Sequence, residues 1–162
     1  MVLLHTAFKY TANLKTDEAV VEFLRFNKKG QKYSNFSDTI VYCAIIIRSG
    51  MTYPLMIQLF TEEKLNSLIS IKSTNKLTNI NNLYKQRQKG LYELIWKPIE
   101  DELGNAKKIY FSPDGLLHKI SFQAIEVKNN IYLSDIYELQ QYSSTSSIAI
   151  SNTEESFSIK KT

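Results

Sequence analysis

The chain has 162 residues, 43% of them hydrophobic, a length that suits one domain or one plus an appendage and an apolar share that excludes wholesale disorder. Its 20 basic and 16 acidic residues leave a net charge of +4. The signs are interspersed and the lysine pairs (Lys28-Lys29, Lys107-Lys108, Lys160-Lys161) are short, so a nucleic-acid surface, which needs clustered cations to displace counterions from phosphates, is not expected.

The single cysteine, Cys43, allows no internal disulfide and fits a reducing cytoplasm. Met1 to Tyr10 lacks the basic start, long apolar stretch and small-residue cleavage site of a signal peptide. The longest apolar run, Ile40 to Ile47, is far short of the about 20 residues of a membrane helix. A soluble cytoplasmic protein without membrane contact is the expectation.

Leu3 to Leu14 reads as helical or irregular, with Leu3, Leu4, Ala7, Phe8 and Ala12 as candidate buried points. Thr16-Asp17-Glu18 reads as a turn. Ala19 to Phe26 is a predicted strand, because Val21, Phe23 and Arg25 alternate with Val20, Glu22, Leu24 and Phe26. Asn27 to Phe36 is polar and contains Gly30, so it reads as a loop. Thr39 to Arg48 carries the strongest strand pattern. It is apolar at successive positions, as in a central strand covered on both sides. After the Ser49-Gly50 turn, Pro54 to Phe60 is a third strand, and the short connections favour an antiparallel meander.

Thr61 is placed to cap a helix, with Glu62 and Glu63 at its positive end and Leu65, Leu68 and Ile69 at helical spacing. Lys72 to Thr78 is a polar loop. A longer helix is predicted from Asn79 to Leu103, where apolar residues recur at three- and four-residue steps. Pro98, lacking a backbone N–H, should kink or break it near Trp96-Lys97, and Gly104 should stop it. Lys107 to Phe111 is a strand, and Ser112-Pro113-Asp114-Gly115 is a turn. Leu116 to Ile120 is expected to lead back, and Phe122 to Val127 to be a further extended piece. Lys128-Asn129-Asn130 forms a hairpin turn into Ile131-Tyr132-Leu133, and Tyr137 to Tyr142 is a last strand. From Ser151 the composition turns polar, as in a frayed tail.

Leu94-Ile95-Trp96-Lys97-Pro98-Ile99 contains a W-x-P step. It is followed by Lys108-Ile109-Tyr110-Phe111, by Ser112-Pro113-Asp114-Gly115-Leu116-Leu117-His118, and by Phe122-Gln123-Ala124-Ile125. Tyr132-Leu133, Tyr137 and Tyr142-Ser143-Ser144 come next. This order resembles the opening signature of the CHAT domain family, with Ser121 where the family usually has proline. Upstream, Leu14 to Phe23 and Tyr42-Cys43-Ala44 resemble the family's preceding strands, so the likeness runs from about Leu14 to Ile150.

The resemblance implies a caspase- and separase-like bacterial protease family, often preceded by tetratricopeptide (TPR) repeats. Its members cleave proteins with a histidine, followed by glycine, and a cysteine; both lie C-terminal to the region matched. It therefore implies that residues 1–150 are the front, pseudo-protease or scaffold part. Residues 151–162 are then a polar tail or the start of a linker to a catalytic half. No catalytic, cofactor-binding or metal-ligating residue is implied here. Trp96, Pro98, Ser112, Pro113, Asp114, Gly115, His118 and Phe122 carry the motif in structural roles.

Cys43 is the sole candidate nucleophile, yet its apolar strand would bury the thiol and raise its pKa, as for a small core residue. His118 is followed by Lys119 and not by glycine, and reads as a histidine bonding across the turn to Asp114. His5 has no partner in sequence. Two histidines and one cysteine without ligand spacing argue against zinc, and five scattered glycines against a phosphate loop. Asp17-Glu18, Glu62-Glu63 and Glu100-Asp101-Glu102 read as helix starts and solvated faces. Trp96 and Tyr92 read as packing residues and not a ligand platform.

The fold expected is three-layer α/β or α+β: an antiparallel N-terminal sheet packed on the long helix, then a second strand group from Lys107. The function expected is a non-catalytic scaffold for a downstream cysteine-protease half, relaying signals from an upstream repeat array and acting on a protein substrate. Against it stand a stand-alone protein-binding module, a minimal enzyme using Cys43 and His118, and, last, nucleic-acid binding.

Overall fold

The computed structural model describes residues 14–29, 39–70 and 89–145. The expected N-terminal helix, most of the loop after Asn27, the loop after Lys72, the first part of the long helix and the polar tail lie outside these residues.

Strands β1 (Glu18–Lys28), β2 (Thr39–Arg48) and β3 (Leu55–Thr61) form the expected antiparallel meander. β1 runs to Lys28, two residues past the predicted end, because all of Ala19 to Lys28 pairs with β2. Ala19, Val21 and Phe23 point to one face of the sheet and pair in register with Arg48, Ile46 and Ala44. Val20 points to the other face, opposite Ile47. Arg48 at the strand end apart, both sets are apolar, as a two-sided central strand requires.

Between β2 and β3 the register slips by one residue from Val41 to Cys43. Such a bulge re-aims the residues beyond it. Phe60 is buried and stacks on Tyr42 with ring centroids 5.1 Å apart.

Helix α1 (Glu62–Ile69) starts where Thr61 predicts: Thr61 Oγ1 accepts from the Lys64 N–H at 3.4 Å. Its Leu65 is fully buried in the main core. Residues 89–103 form one continuous helix, α2, which crosses the first face and ends at Gly104. The chain then enters β4 (Lys108–Ser112), which lies beside β1 and parallel to it.

After β4 come two short 3-10 turns, Gly115–Lys119 and Phe122–Ala124, where extended segments were expected. Leu117 and Phe122 must reach inward to the core from neighbouring positions, and the tight turns point both that way. A hairpin of β5 (Glu126–Lys128) and β6 (Ile131–Tyr132) follows, turning at Asn129 and Asn130 with φ of 49° and 62°. Asparagine tolerates this left-handed pair, as a two-residue hairpin turn demands. A short helix α3 (Leu133–Ile136) leads to β7 (Glu138–Gln141), parallel to β4.

The late strands therefore do not form a separate group. They extend the first sheet, giving one five-stranded mixed sheet in the order β3-β2-β1-β4-β7. The protein is mixed α/β. All the described helices bury their side chains in one cluster on the first face, with Trp96, Ile95, Ile99, Leu103, Phe111 and Phe122 at its centre. The second face carries a smaller cluster of Leu14, Val20 and Ile47, flanked by Tyr110 and Tyr142.

Candidate functional site

The Ser112-Pro113-Asp114-Gly115 turn sits where β4 leaves the sheet. β4 pairs with β1 only as far as Glu22 opposite Ser112, while β1 runs on to Lys28. Beyond that point a β1 backbone donor has no strand beside it, and Asp114 takes the place of one. Its Oδ2 accepts from the Arg25 N–H at 3.0 Å.

Tyr42 ties the turn to the meander. Its hydroxyl donates to Glu62 Oε2 at 2.8 Å and accepts from the Leu116 N–H at 3.0 Å. The Arg25 side chain lies beside this pair, with Nη1 3.3 Å from Glu62 Oε2 and Nε 3.8 Å from Asp114 Oδ1. The hydrogen bond to Glu62 favours the Arg25 cation. Burial, reinforced by Glu62, pushes the Tyr42 phenol up. Gly115 has φ of +54°, and a Cβ there would overlap Tyr42 Oη and stand 2.8 Å from Arg25 Cδ. Glycine is thus required twice over, by the backbone and by the close approach of the ring.

His118 does not bond across the turn to Asp114 as expected. Asp114 is engaged by Arg25, and the His118 side chain points outward, exposed, without a hydrogen bond among the described residues. Ser121 has φ of −81°, and the preceding Ile120 is extended at φ −109°, ψ 128°. Both conformations suit proline at position 121. Ser121→Pro is accordingly expected to stabilise the protein by about 0.4–1 kcal/mol through the unfolded chain, seen as a higher urea midpoint at unchanged slope.

The second part of the motif is a packing device. Pro98 cannot donate to a carbonyl four residues back, and the helix answers with a π turn over Tyr92–Trp96, in which the Lys97 N–H reaches the Tyr92 carbonyl. The helix is re-registered rather than broken. The wider turn directs Tyr92, Leu94, Ile95 and Trp96 all inward. Trp96, fully buried, lies against Phe122 and Tyr137 at centroid distances of 6.3 and 5.5 Å. Phe122 in turn contacts Phe111 and Phe23 at 4.7 and 5.5 Å. The W-x-P step and the phenylalanine after the turn are therefore two sides of one aromatic cluster.

Glu100 gathers two tyrosines at the edge of that cluster. Tyr92 Oη donates to it at 2.6 Å and Tyr137 Oη at 3.5 Å. Burial first, then the Glu100 carboxylate, raises both phenol pKa values above the ordinary range. With Tyr42, three buried tyrosines keep their protons longer in the folded state than in the unfolded one. Above about pH 10 the unfolded chain binds fewer protons, so stability falls as pH rises, by up to about 1.4 kcal/mol per pH unit for each such tyrosine. Denaturation at pH 8 to 11.5, with tyrosinate absorbance followed in parallel, should show a plateau and then this decline.

The last part of the motif closes over the second face. The Tyr142 N–H donates to the Phe111 carbonyl at 2.8 Å, and Ser112 Oγ donates to the Ser143 carbonyl at 3.1 Å. Thr145 bonds Glu22 Oε2 through its N–H at 3.0 Å and through its hydroxyl. Tyr110 and Tyr142 meet edge to face.

None of this assembles a reactive pair. Cys43 is buried on the second face opposite Leu24, and burial pushes its thiol up. The turn bearing His118 packs against the first face through Leu117. The sheet lies between them, so they cannot form a nucleophile–base pair. No three His, Cys, Asp or Glu among the described residues are grouped to hold a metal, and no described helix is long and apolar enough to cross a membrane. An open cleft of about 570 Å³ at the start of β1, β4 and β7 is lined by both signs of charge. Three of its four carboxylates are engaged: Glu18 by the Lys15 N–H, Asp135 by the Tyr132 N–H and Glu138 by Lys108.

Arg25, Tyr42 and Glu62 are the residues that reading the sequence missed. A tyrosine inside an apolar central strand was the available signal, since its hydroxyl needs a partner when buried.

Comparison with known proteins bears on the second half of the chain. Residues 85–160 match the family model of the CHAT domain. That match contains Trp96, Pro98, the Ser112-Pro113-Asp114-Gly115 turn and Phe122, and it begins after the three strands of the meander. No curated protein and no solved structure matches the chain.

Proposed function

We propose, taking residues 85–160 as CHAT-family sequence, that this chain is a non-catalytic scaffold that supports a downstream cysteine-protease half of the same protein. The observation that carries the reading is the use made of the motif. Trp96, Pro98, Asp114, Gly115 and Phe122 all serve packing or hydrogen bonds within the fold, while Cys43 and His118 are held on different sides of the sheet. The family resemblance adds a caspase-like activity for the whole protein, TPR repeats upstream and a protein substrate. The single buried thiol suits a reducing cytoplasm.

The experiment is to read the gene beyond Thr162 and assay the product. A His-Gly and a later cysteine, each after an apolar strand, are expected. Substituting that cysteine should abolish cleavage of a protein substrate, and His118→Ala should retain it. A stop codon, or loss of cleavage on His118→Ala alone, would overturn the reading.

A stop codon would favour a stand-alone protein-binding module. Phe26 and Met56, 46% and 67% exposed on the second face, are the observation that supports this alternative.

A further inference from the structure

The two ends of the sheet are not alike. β7, at one end, is four residues long and opens on Glu138, which pairs with Lys108. Short length and charge are common means by which an edge strand avoids joining another chain. β3, at the other end, uses neither. Leu55–Thr61 is seven residues without a charge, a proline or a glycine, and among the described residues no strand lies on its outer side. Its bulge against β2 is confined to the far end, so Leu55 to Gln58 keep regular register with Ile46 to Cys43. In a strand paired on one side only, every second residue turns its N–H and C=O outward. The side chains are incompletely covered as well. Ile57 and Leu59 are only partly buried against the main core, and Met56 is 67% exposed on the second face.

The strand fits its own copy turned end for end. A two-fold axis at Ile57, perpendicular to the sheet, sets two β3 strands antiparallel, and residues directly opposite each other then share a face. On the helix-bearing face Ile57 meets Ile57 and Leu55 meets Leu59. On the second face Met56 meets Gln58. No charge stands opposite a charge. Pro54, which has no N–H to give, bounds the paired stretch. Tyr53, 67% exposed just before the strand, comes to the copy's Thr61 end. A foreign peptide would find no charged side chain on β3 to select it, whereas the copy matches face by face.

We propose that β3 is a homodimerisation edge, on which a second copy of the chain pairs antiparallel about Ile57 and joins the two five-stranded sheets into one. Pairing at this edge is independent of whether the chain serves a protease. Five paired residues on each side make a small interface, so the dimer should dissociate on dilution.

Sedimentation velocity of the full chain over a dilution series tests it, with a reversible monomer–dimer equilibrium expected. Met56→Lys with Gln58→Lys sets lysine opposite lysine and should raise the dissociation constant about tenfold or more. Met56→Lys with Gln58→Glu sets unlike charges opposite in this register and should keep the constant within about threefold of the wild type. Both positions are exposed, so both variants should show a native circular-dichroism spectrum. If the double-lysine variant fails to fold, amide hydrogen exchange of the wild type keeps the test open: the outward amides of Leu55 to Leu59 should exchange slowly in the dimer and fast after dilution. A wild type that stays monomeric throughout the series overturns the proposal. So does a dimer that both variants leave unchanged, which would assign self-association to another surface. Protection of β3 that persists in the diluted monomer would assign the edge to another segment of the same chain and overturn it equally.

Discussion

Gly115→Ala is expected to lower the stability of the fold by about 2–5 kcal/mol. About 1–2 kcal/mol comes from placing an L side chain at positive φ. The remainder comes from forcing a methyl group into a packed site, where overpacking costs about 1–3 kcal/mol. The methyl would overlap Tyr42 Oη and crowd Arg25 Cδ, the two groups that join the turn to β1 and β2. The change should appear as a lower urea midpoint with an unchanged slope. Tyr42→Phe removes the overlapping atom, so the two substitutions should not add: the double variant should be more stable than their sum predicts by about 1 kcal/mol. Strict additivity would show that the turn relaxes away from the ring and that Tyr42 does not hold it.

Trp96→Ala should cost about 3–5 kcal/mol, the usual penalty for removing a fully buried large aromatic side chain. Phe122 and Tyr137 both lose a ring contact, and the π turn that aims Trp96 inward leaves little freedom to collapse the space. Trp96→Phe should cost markedly less than Trp96→Ala. The indole Nε1 completes no hydrogen bond of good geometry among the described residues, though Trp96 eases ionisation of the Tyr137 phenol beside it, so the exchange forfeits chiefly packing. Trp96 is the only tryptophan, which makes circular dichroism the appropriate probe. Equal losses in the two variants would locate the value of the side chain in its second ring.

The contrast between what was legible in the chain and what was not has a physical basis. Local signals did well. The alternation around Val21 and Phe23, the doubly apolar β2, the Thr61 cap and the Asn129-Asn130 turn all depend on neighbours a few residues away. The placement of β4 beside β1 does not. Parallel pairing is set by which apolar edges meet after the helix has crossed the sheet, and nothing in Lys108 to Ser112 names its partner. The same limit explains the site. The Ser112-Pro113-Asp114-Gly115 turn was readable as a turn, but its anchors Arg25, Tyr42 and Glu62 come from three other elements. For His118 the neighbouring Asp114 suggested a bond, yet that carboxylate had a more favourable use on an open backbone donor of β1.

The parallel pairing of β1 with β4 also bears on how the molecule comes into being. During synthesis the meander emerges first, and its hairpins close through contacts near in sequence. One side of β1 must then wait through the whole intervening stretch until β4 is made. Contacts so distant along the chain are slow to form, and an unpaired strand edge can meanwhile join another nascent chain. A CHAT-matching stretch translated without the meander meets the reverse difficulty, since β4 would lack the neighbour that completes its hydrogen bonds. The two stretches are one folding unit, divided by the boundary of the family match and joined at the middle of the sheet.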